Sequence, residues 1–125
     1  HGLNEKADMG PLVTPQHYAK VKEYVDLGMT EGAKLVIDGR GYRHAGHEEG
    51  FFLAPCLFDD VTKDMRIYKE EIFGPVLSIV RAKTFEEALQ LVNDHEFGNG
   101  VAIYPACASW HGGCECSDSS TNRIP

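Results

Sequence analysis

The chain reads YKEEIFGPV from Tyr68 to Val76, and this segment decides how the rest of the sequence is interpreted. Two adjacent acids, Glu70 and Glu71, precede an aromatic residue, Phe73, and then a Gly-Pro break. The break and the apolar run behind it predict a turn followed by a buried strand. A carboxylate two residues from a ring also suits a site that holds a hydroxylated ligand against an aromatic surface. These residues alone leave both interpretations open.

Size and composition indicate one small globular domain. The chain has 125 residues, of which 42% are hydrophobic and 25% are charged, so it can form a real core. The formal net charge of -7 argues against a nucleic-acid surface, and no apolar run reaches the length of a membrane span. The polar start, which lacks an initiator Met, predicts no signal peptide and is compatible with a fragment or a processed chain.

The cysteines and histidines do not form a metal-binding pattern. Cys56 lies in an apolar stretch and is predicted to be a small core residue. The other three cysteines follow residue 106, with His111 among them, but their Cys-x-Cys spacing does not match a structural zinc site. His44 and His47 are predicted to be solvated loop residues, because no third ligand lies near them. We therefore predict no metal site. The three late cysteines are Cys107, Cys114 and Cys116.

Periodicity and capping signals predict an α/β arrangement. Thr14 before Pro15 and Thr84 before Glu87 are typical helix starts, the second as a capping box. The internal Pro55 predicts an edge or kinked strand. No internal repeat, Gly-rich phosphate loop or catalytic triad pattern can be placed. The predicted elements are a helix at 15–29, strands at 35–37, 51–58 and 76–80, a helix at 85–94 and a strand at 101–104, with a loop at 40–50.

Several separated motifs resemble the aldehyde dehydrogenase superfamily. They are ADMGP at 7–11, GFF at 50–52, EEIFGPV at 70–76 and the segment 88–98. The likeness covers about residues 5–104. Within the superfamily, YKEEIFGP and the later GNGVAI are similar to the CoA-acylating methylmalonate-semialdehyde dehydrogenase branch. The resemblance implies part of a parallel-sheet α/β catalytic domain, with the Rossmann-like cofactor domain absent.

The resemblance also implies a ligand for the opening segment. Glu71 would accept hydrogen bonds from the hydroxyls of the nicotinamide ribose of NAD, and Phe73 would pack near the nicotinamide ring. The Gly-Pro break would fix the strand that carries both residues. An ionised carboxylate only accepts hydrogen bonds, which suits a diol, and a rigid ring limits where a flat heterocycle can lie. Three further residues are expected to lack a ligand: Glu70 as a solvated neighbour, and Asn93 and Gly98 as structural residues.

In the family's reaction a Cys thiolate attacks the aldehyde and a hydride passes to NAD. In this branch CoA then receives the acyl group. The nucleophile, the oxyanion-hole Asn and the cofactor domain are expected upstream, and none of the four cysteines matches the nucleophile's motif, so we predict no catalytic residue here and no turnover by this chain alone. Two alternatives remain open: a fragment of a hydrolytic aldehyde dehydrogenase, and a truncated interaction piece without activity.

The resemblance carries expectations about the complete protein as well. It implies a small-molecule aldehyde substrate and a homotetramer whose oligomerisation strand this chain lacks. It implies a mitochondrial location in a eukaryote and a cytoplasmic one in a bacterium, without secretion.

The last residues depart from the family pattern. From residue 110 the chain reads WHGGCECSDSSTNRIP, where the family has a segment like GMVGVNVPIPVPIAF. A back-translation of the first string, read one base later, gives the second. We therefore predict a family domain at 1–104 and a frameshifted, poorly ordered tail at 105–125, because the tail has few apolar residues to bury. The alternative is a genuine Ser- and Cys-rich surface tail.

Overall fold

A computed structural model of the chain describes residues 7–102 and 104. The predicted tail at 105–125, with its three cysteines and His111, lies outside the described residues. In chain order the elements are α1 (Pro15–Thr30), β1 (Lys34–Ile37), β2 (Cys56–Asp59), α2 (Arg66–Lys69), β3 (Val76–Ser78) and α3 (Phe85–Asp94). Among these residues no helix is both long and apolar enough to cross a bilayer.

Helix α1 begins where its capping signal predicts. The Thr14 hydroxyl oxygen accepts a hydrogen bond from the His17 backbone N–H at 3.1 Å, and Pro15 occupies the first turn, where a missing N–H leaves no helical bond unmade. The buried face carries Val21, Val25 and Gly28. A Cβ atom on Gly28 would lie 2.8 Å from the Phe58 ring, so the glycine allows α1 to approach β2 closely.

The three strands form one mixed sheet in the order β1-β2-β3. Strands β1 and β2 are antiparallel, with Lys34 opposite Asp59, whereas β2 and β3 are parallel, with Cys56 opposite Val76. The predicted partial α/β domain is confirmed, but its sheet is mixed rather than purely parallel as expected.

Of the two predictions for 51–58, an edge strand or a kinked one, the edge strand is wrong, because β2 (Cys56–Asp59) is the central strand of the described sheet. Pro55 lies just before β2 rather than inside it. The strand begins at Cys56, the first residue after Pro55 that has an N–H to donate, and this N–H bonds to the Pro75 carbonyl at 2.8 Å. Proline therefore marks where the central strand begins.

Two predicted buried strands are corrected. The apolar run after the Gly-Pro break is only partly buried: Val76 and Val80 pack against the core, whereas Leu77 of the short strand β3 is 63% exposed. Val101 and Ala102 are exposed and lie outside any strand, and Tyr104 is 91% exposed. Ile103 lies outside the described residues. The described part of the chain offers the exposed side chains of Leu77 and Tyr104 no surface on which to pack.

The hydrophobic core lies between α1, β2 and the segment that contains α2. Its centre is the Phe58 ring, which is fully buried beside Val21 and Val25 of α1. The remaining buried residues are Ala33, Leu53, Cys56, Val61, Met65, Ile67 and Ile72.

Helix α3 is capped as predicted but contributes nothing to this core. The Thr84 hydroxyl oxygen accepts from the Glu87 N–H at 3.1 Å, while the Glu87 carboxylate accepts from the Lys83 N–H at 2.8 Å, one residue earlier than a capping box predicts. None of its residues is buried, and its apolar side chains Phe85 and Leu89 are 59% and 45% exposed.

Polar contacts link α3 to the segment around α2. The Tyr68 hydroxyl donates to the Leu91 carbonyl at 3.0 Å, and His95 Nε2 lies 2.6 Å from the Tyr68 carbonyl oxygen. His95 Nδ1 accepts from the Phe97 N–H at 3.0 Å, so Nε2 carries the ring hydrogen. A few hydrogen bonds, rather than buried area, therefore hold this helix.

Candidate functional site

The predicted ligand-contacting residues lie in a loop, not on a strand. Glu71 and Phe73 belong to residues 70–75, the acid–aromatic loop, which connects α2 to β3. This corrects the expectation of a strand that carries both residues. Ile72 is 9% exposed and packs in the core, while Phe73 on its C-terminal side is 75% exposed and Glu71 on its N-terminal side is exposed. One buried residue thus anchors the loop and leaves both neighbours facing outward.

The backbone of Phe73 adopts an unusual conformation. Its φ angle is 58°, in the left-handed region that glycine adopts easily and an aromatic residue does not. Such a conformation costs on the order of 1–3 kcal/mol and persists only where surrounding contacts hold it. One such contact is His17 Nε2, which lies 2.6 Å from the Phe73 carbonyl oxygen. Because a carbonyl oxygen can only accept, Nε2 of His17 carries the hydrogen.

Gly74 lets the loop pack directly on α1. A Cβ atom at this position would lie 2.7 Å from both methyl groups of Val21, closer than carbon atoms approach in proteins. Val21 itself is fully buried and cannot move outward without disturbing the core. The glycine is therefore required for close approach.

Glu70 is not the solvated neighbour that we predicted. Its carboxylate pairs with the Arg66 guanidinium, with Nε–Oε1 at 2.7 Å and Nη2–Oε2 at 3.1 Å, and it also accepts from the Tyr24 hydroxyl. The Arg66 guanidinium, and next the Tyr24 hydroxyl, lower the pKa of Glu70 to about 2. The same hydrogen bond to Glu70 raises the pKa of Tyr24. Glu70 thereby ties the start of the loop to α1.

The start of α2 is tied to α1 as well. The Arg66 backbone N–H donates to the Glu31 carboxylate, with its oxygens at 2.9 and 3.0 Å. Glu31 caps the C-terminus of α1, so its carboxylate links the end of one helix to the beginning of the next. Both ends of α2 are therefore fixed relative to α1.

Glu71 differs from its neighbour in having no recorded hydrogen bond or ion pair with any of the residues described between 7 and 104. Its side chain is exposed, on the same loop as the outward-facing Phe73 ring. An ionised carboxylate of this kind can accept hydrogen bonds from ligand hydroxyls. The acid–aromatic loop thus offers one acceptor and one ring to solvent.

Cys56 is confirmed as a core residue. It is 1% exposed, its sulfur accepts from the Gly39 N–H at 3.3 Å, and burial raises the pKa of its thiol. A raised pKa reduces the thiolate population that nucleophilic attack requires. Cys56 is therefore unsuited to be a nucleophile.

The His44 and His47 pair does not build a metal centre. Both residues are exposed, and their rings stack with centroids 5.5 Å apart, while His44 also stacks on Phe52 at 4.8 Å. Between residues 7 and 104, as far as they are described, no three His, Cys, Asp or Glu side chains come together as metal ligands.

A cavity of about 840 Å³ separates α3 from the segment between β2 and α2. Tyr68, Arg81 and His95 are among the residues that line it. Its walls carry both acids and bases, so it presents no uniform charge to a ligand.

Sequence reasoning missed the contribution of α1 to the site. His17, Val21 and Tyr24 lie on one helix and contact the loop, yet the sequence shows only an amphipathic helix there. Nothing in the sequence around His17 indicates that its side chain bonds to Phe73, which lies 56 positions away. The loop motif could be recognised in the sequence, but the face of α1 that supports the loop could not.

Comparison with known proteins shows which family has a sequence like that of this chain. Residues 1–108 match the sequence pattern described as the aldehyde dehydrogenase family, which covers most of the chain. The chain belongs to the aldehyde dehydrogenase family.

Two curated members of the family show how much of a complete enzyme the chain represents. It is 64% identical over 97 residues to malonate-semialdehyde dehydrogenase of Pseudomonas aeruginosa, covering 78% of this chain and 20% of that protein. It is 46% identical over 98 residues to the human acylating, mitochondrial methylmalonate-semialdehyde/malonate-semialdehyde dehydrogenase, covering 78% of this chain and 18% of that protein. The chain therefore spans about a fifth of the length of these relatives.

Solved aldehyde dehydrogenase structures share the fold. A candidate methylmalonate-semialdehyde dehydrogenase of Sinorhizobium meliloti, in complex with NAD, superposes with a TM-score of 0.79 at 57% identity, over 84% of this chain and 21% of that one. An aldehyde dehydrogenase of Mycobacterium tuberculosis complexed with NAD+ gives a TM-score of 0.68 at 41% identity, over 75% and 19%. The described residues thus fold as the matching part of a larger dehydrogenase.

Proposed function

We propose that this chain is part of the catalytic domain of an NAD-dependent dehydrogenase that converts malonate or methylmalonate semialdehyde and CoA to acetyl-CoA or propionyl-CoA, with loss of carbon dioxide and reduction of NAD to NADH. The observation that carries the proposal is the 64% identity to malonate-semialdehyde dehydrogenase of Pseudomonas aeruginosa. The complete protein would be a homotetramer, mitochondrial in a eukaryote and cytoplasmic in a bacterium.

The acid–aromatic loop fits a role at the nicotinamide end of NAD. Glu71 would accept hydrogen bonds from the ribose hydroxyls, because its carboxylate is exposed and unengaged among the described residues. Phe73 would limit where the nicotinamide ring lies, since its own ring is 75% exposed on a backbone held in place by α1. The fit rests on this exposure of both groups.

The chain supplies one wall of the site and no complete reaction. NAD accepts a hydride when it is bound, and Glu71 and Phe73 would orient it without touching the aldehyde. The thiolate that attacks the aldehyde would come from another part of the protein, because Cys56 is buried with a raised pKa and the three late cysteines do not match the family's nucleophile motif. We therefore expect no aldehyde oxidation by this chain alone.

A chimera tests the proposal directly. Residues 7–102 of this chain would replace the matching segment of the Pseudomonas aeruginosa enzyme, and NADH formation would be followed with malonate semialdehyde, with and without CoA. We expect NAD reduction and an acyl-CoA product. Release of free acid at the same rate without CoA would favour the hydrolytic alternative, and a well-folded chimera without activity would contradict the proposal.

Matched variants of the chimera test the two residues. Glu71→Gln and Phe73→Ala should each weaken catalysis with NAD by roughly tenfold, which corresponds to about 1.4 kcal/mol. Glu86→Gln is the control, since Glu86 is an exposed acid in the first turn of α3. Equal activity in all three variants would show that Glu71 and Phe73 do not contribute to the NAD site.

We also propose that the family domain ends at 104 and that residues 105–125 are an out-of-frame reading of the next family segment. The support is that one choice of synonymous codons for WHGGCECSDSSTNRIP, read one base later, encodes GMVGVNVPIPVPIAF. The nucleotide sequence is the test, because it either contains those codons in the shifted frame or it does not.

A further inference from the structure

The outward face of the acid–aromatic loop depends on contacts from α1. We propose that His17 is a positioning residue: its side chain holds the Phe73 peptide in the left-handed conformation and so aims the Phe73 ring at the cofactor. This inference rests on the proposed function of the loop. It adds a residue 56 positions away in the sequence to the machinery that orients the cofactor.

The acid–aromatic loop is fixed at several points. Its N-terminal end is held by Glu70 on Tyr24, and its middle by the burial of Ile72. Behind the loop, Gly74 presses against Val21 and blocks movement toward α1. Rotation about the N–Cα bond of Phe73, which changes its φ angle, would turn the Phe73 ring and carbonyl together relative to these fixed points.

One hydrogen bond to the Phe73 carbonyl opposes that rotation. The Phe73 carbonyl oxygen accepts from His17 Nε2 at 2.6 Å, and no other donor to this oxygen is recorded among the described residues. At φ 58° the residue would relax to negative φ if nothing held it. Loss of the His17 side chain therefore frees the peptide and lets the exposed ring leave its position.

Neither the core nor the cap of α1 uses the His17 side chain. The His17 side chain is only partly buried and is not among the core residues. The cap of α1 uses the His17 backbone N–H, which a side-chain substitution leaves in place. A His17 variant should therefore keep the fold and lose only the orientation of the loop.

An isotope-labelled chain tests the contact without any activity. With ¹³C-carbonyl phenylalanine and ¹⁵N-glycine, only Phe-Gly pairs give a directly bonded N–C′ signal, and the sequence has two, Phe73-Gly74 and Phe97-Gly98. His17→Leu should move the first signal and leave the second. His95→Leu is the matched control, because the His95 ring accepts from the Phe97 N–H at 3.0 Å and lies near the Phe97 ring, so its loss should affect the second signal alone. An unmoved Phe73-Gly74 signal in His17→Leu overturns the proposal.

The chimera with the Pseudomonas aeruginosa enzyme tests the consequence. His17→Leu should lower kcat/KM for NAD about tenfold while the KM for the aldehyde and the thermal midpoint stay near those of the parent. His17→Gln, which retains a side-chain N–H donor, should recover most of the loss. An active chimera in which His17→Leu matches the parent contradicts the positioning role, whereas an inactive parent chimera contradicts the proposed function and leaves the labelling experiment to decide on His17.

Discussion

Tyr24 donates its hydroxyl hydrogen to the carboxylate of Glu70, across 46 residues of sequence. Arg66 completes the arrangement with two further hydrogen bonds to the same carboxylate. Tyr24 lies on α1, Arg66 begins α2, and Glu70 opens the acid–aromatic loop. One carboxylate thus joins two helices to the loop, so its charge state should affect how firmly they hold together.

Acid should weaken the fold through Glu70. Its pKa is about 2 in the folded chain and about 4.3 in an unfolded one, so the folded state binds fewer protons and the carboxylate stabilises the fold above the unfolded pKa. That contribution should fall as the pH drops from about 4.3 toward 2. Urea unfolding of the wild type and Glu70→Gln across this range measures it. The two free energies of unfolding should converge as the pH falls, and a constant difference would show that Glu70 does not act through its charge.

An added methyl group at Gly74 should displace the loop or destabilise the chain. In Gly74→Ala the new carbon would lie 2.7 Å from the buried Val21 methyl groups, and overpacking of this kind costs about 1–3 kcal/mol. Gly98→Ala is the control, because a Cβ atom there meets nothing within 4 Å. Urea midpoints compare the two. Equal destabilisation by both variants would mean that the loop does not pack on α1 as described.

Loss of the central ring should cost far more than loss of an exposed one. Phe58 is fully buried, and Phe→Ala in a core costs about 3–5 kcal/mol, a large part of the total stability of a small domain. Phe85→Ala is the matched control, since Phe85 is 59% exposed at the start of α3. Circular dichroism during urea titration should show the Phe58 variant largely unfolded and the Phe85 variant close to wild type. The reverse order would place the core elsewhere.

The Cys56 thiol should react slowly in the folded chain. The residue is 1% exposed and burial raises the pKa of its thiol, so both access and thiolate population are low. The measurement uses a variant in which the three late cysteines are serine, mixed with an aromatic disulfide reagent. The rate should rise by orders of magnitude in denaturing urea. Rapid reaction without urea would show that β2 is open to solvent.

The sequence by itself determined the local features of this protein. It predicted α1 from the Thr14 cap and the spacing of apolar residues, and the start of α3 from Thr84, because each of these signals is complete within a few neighbouring residues. It also predicted Cys56 as a core residue and the family from several separated motifs, of which the loop is one. It misplaced the central strand, because the effect of Pro55 depends on which strand lies beside it.

Only the tertiary structure decided what supports the loop. The bond from His17 to Phe73 and the contact of Gly74 with Val21 join positions more than fifty residues apart. No local periodicity encodes such pairs, because they depend on how α1 lies across the sheet. For the same reason Glu70 was predicted to be solvated, although it is the most heavily engaged carboxylate of the loop. The acid–aromatic motif can be read in the sequence, whereas the direction in which its side chains face is fixed by packing against α1.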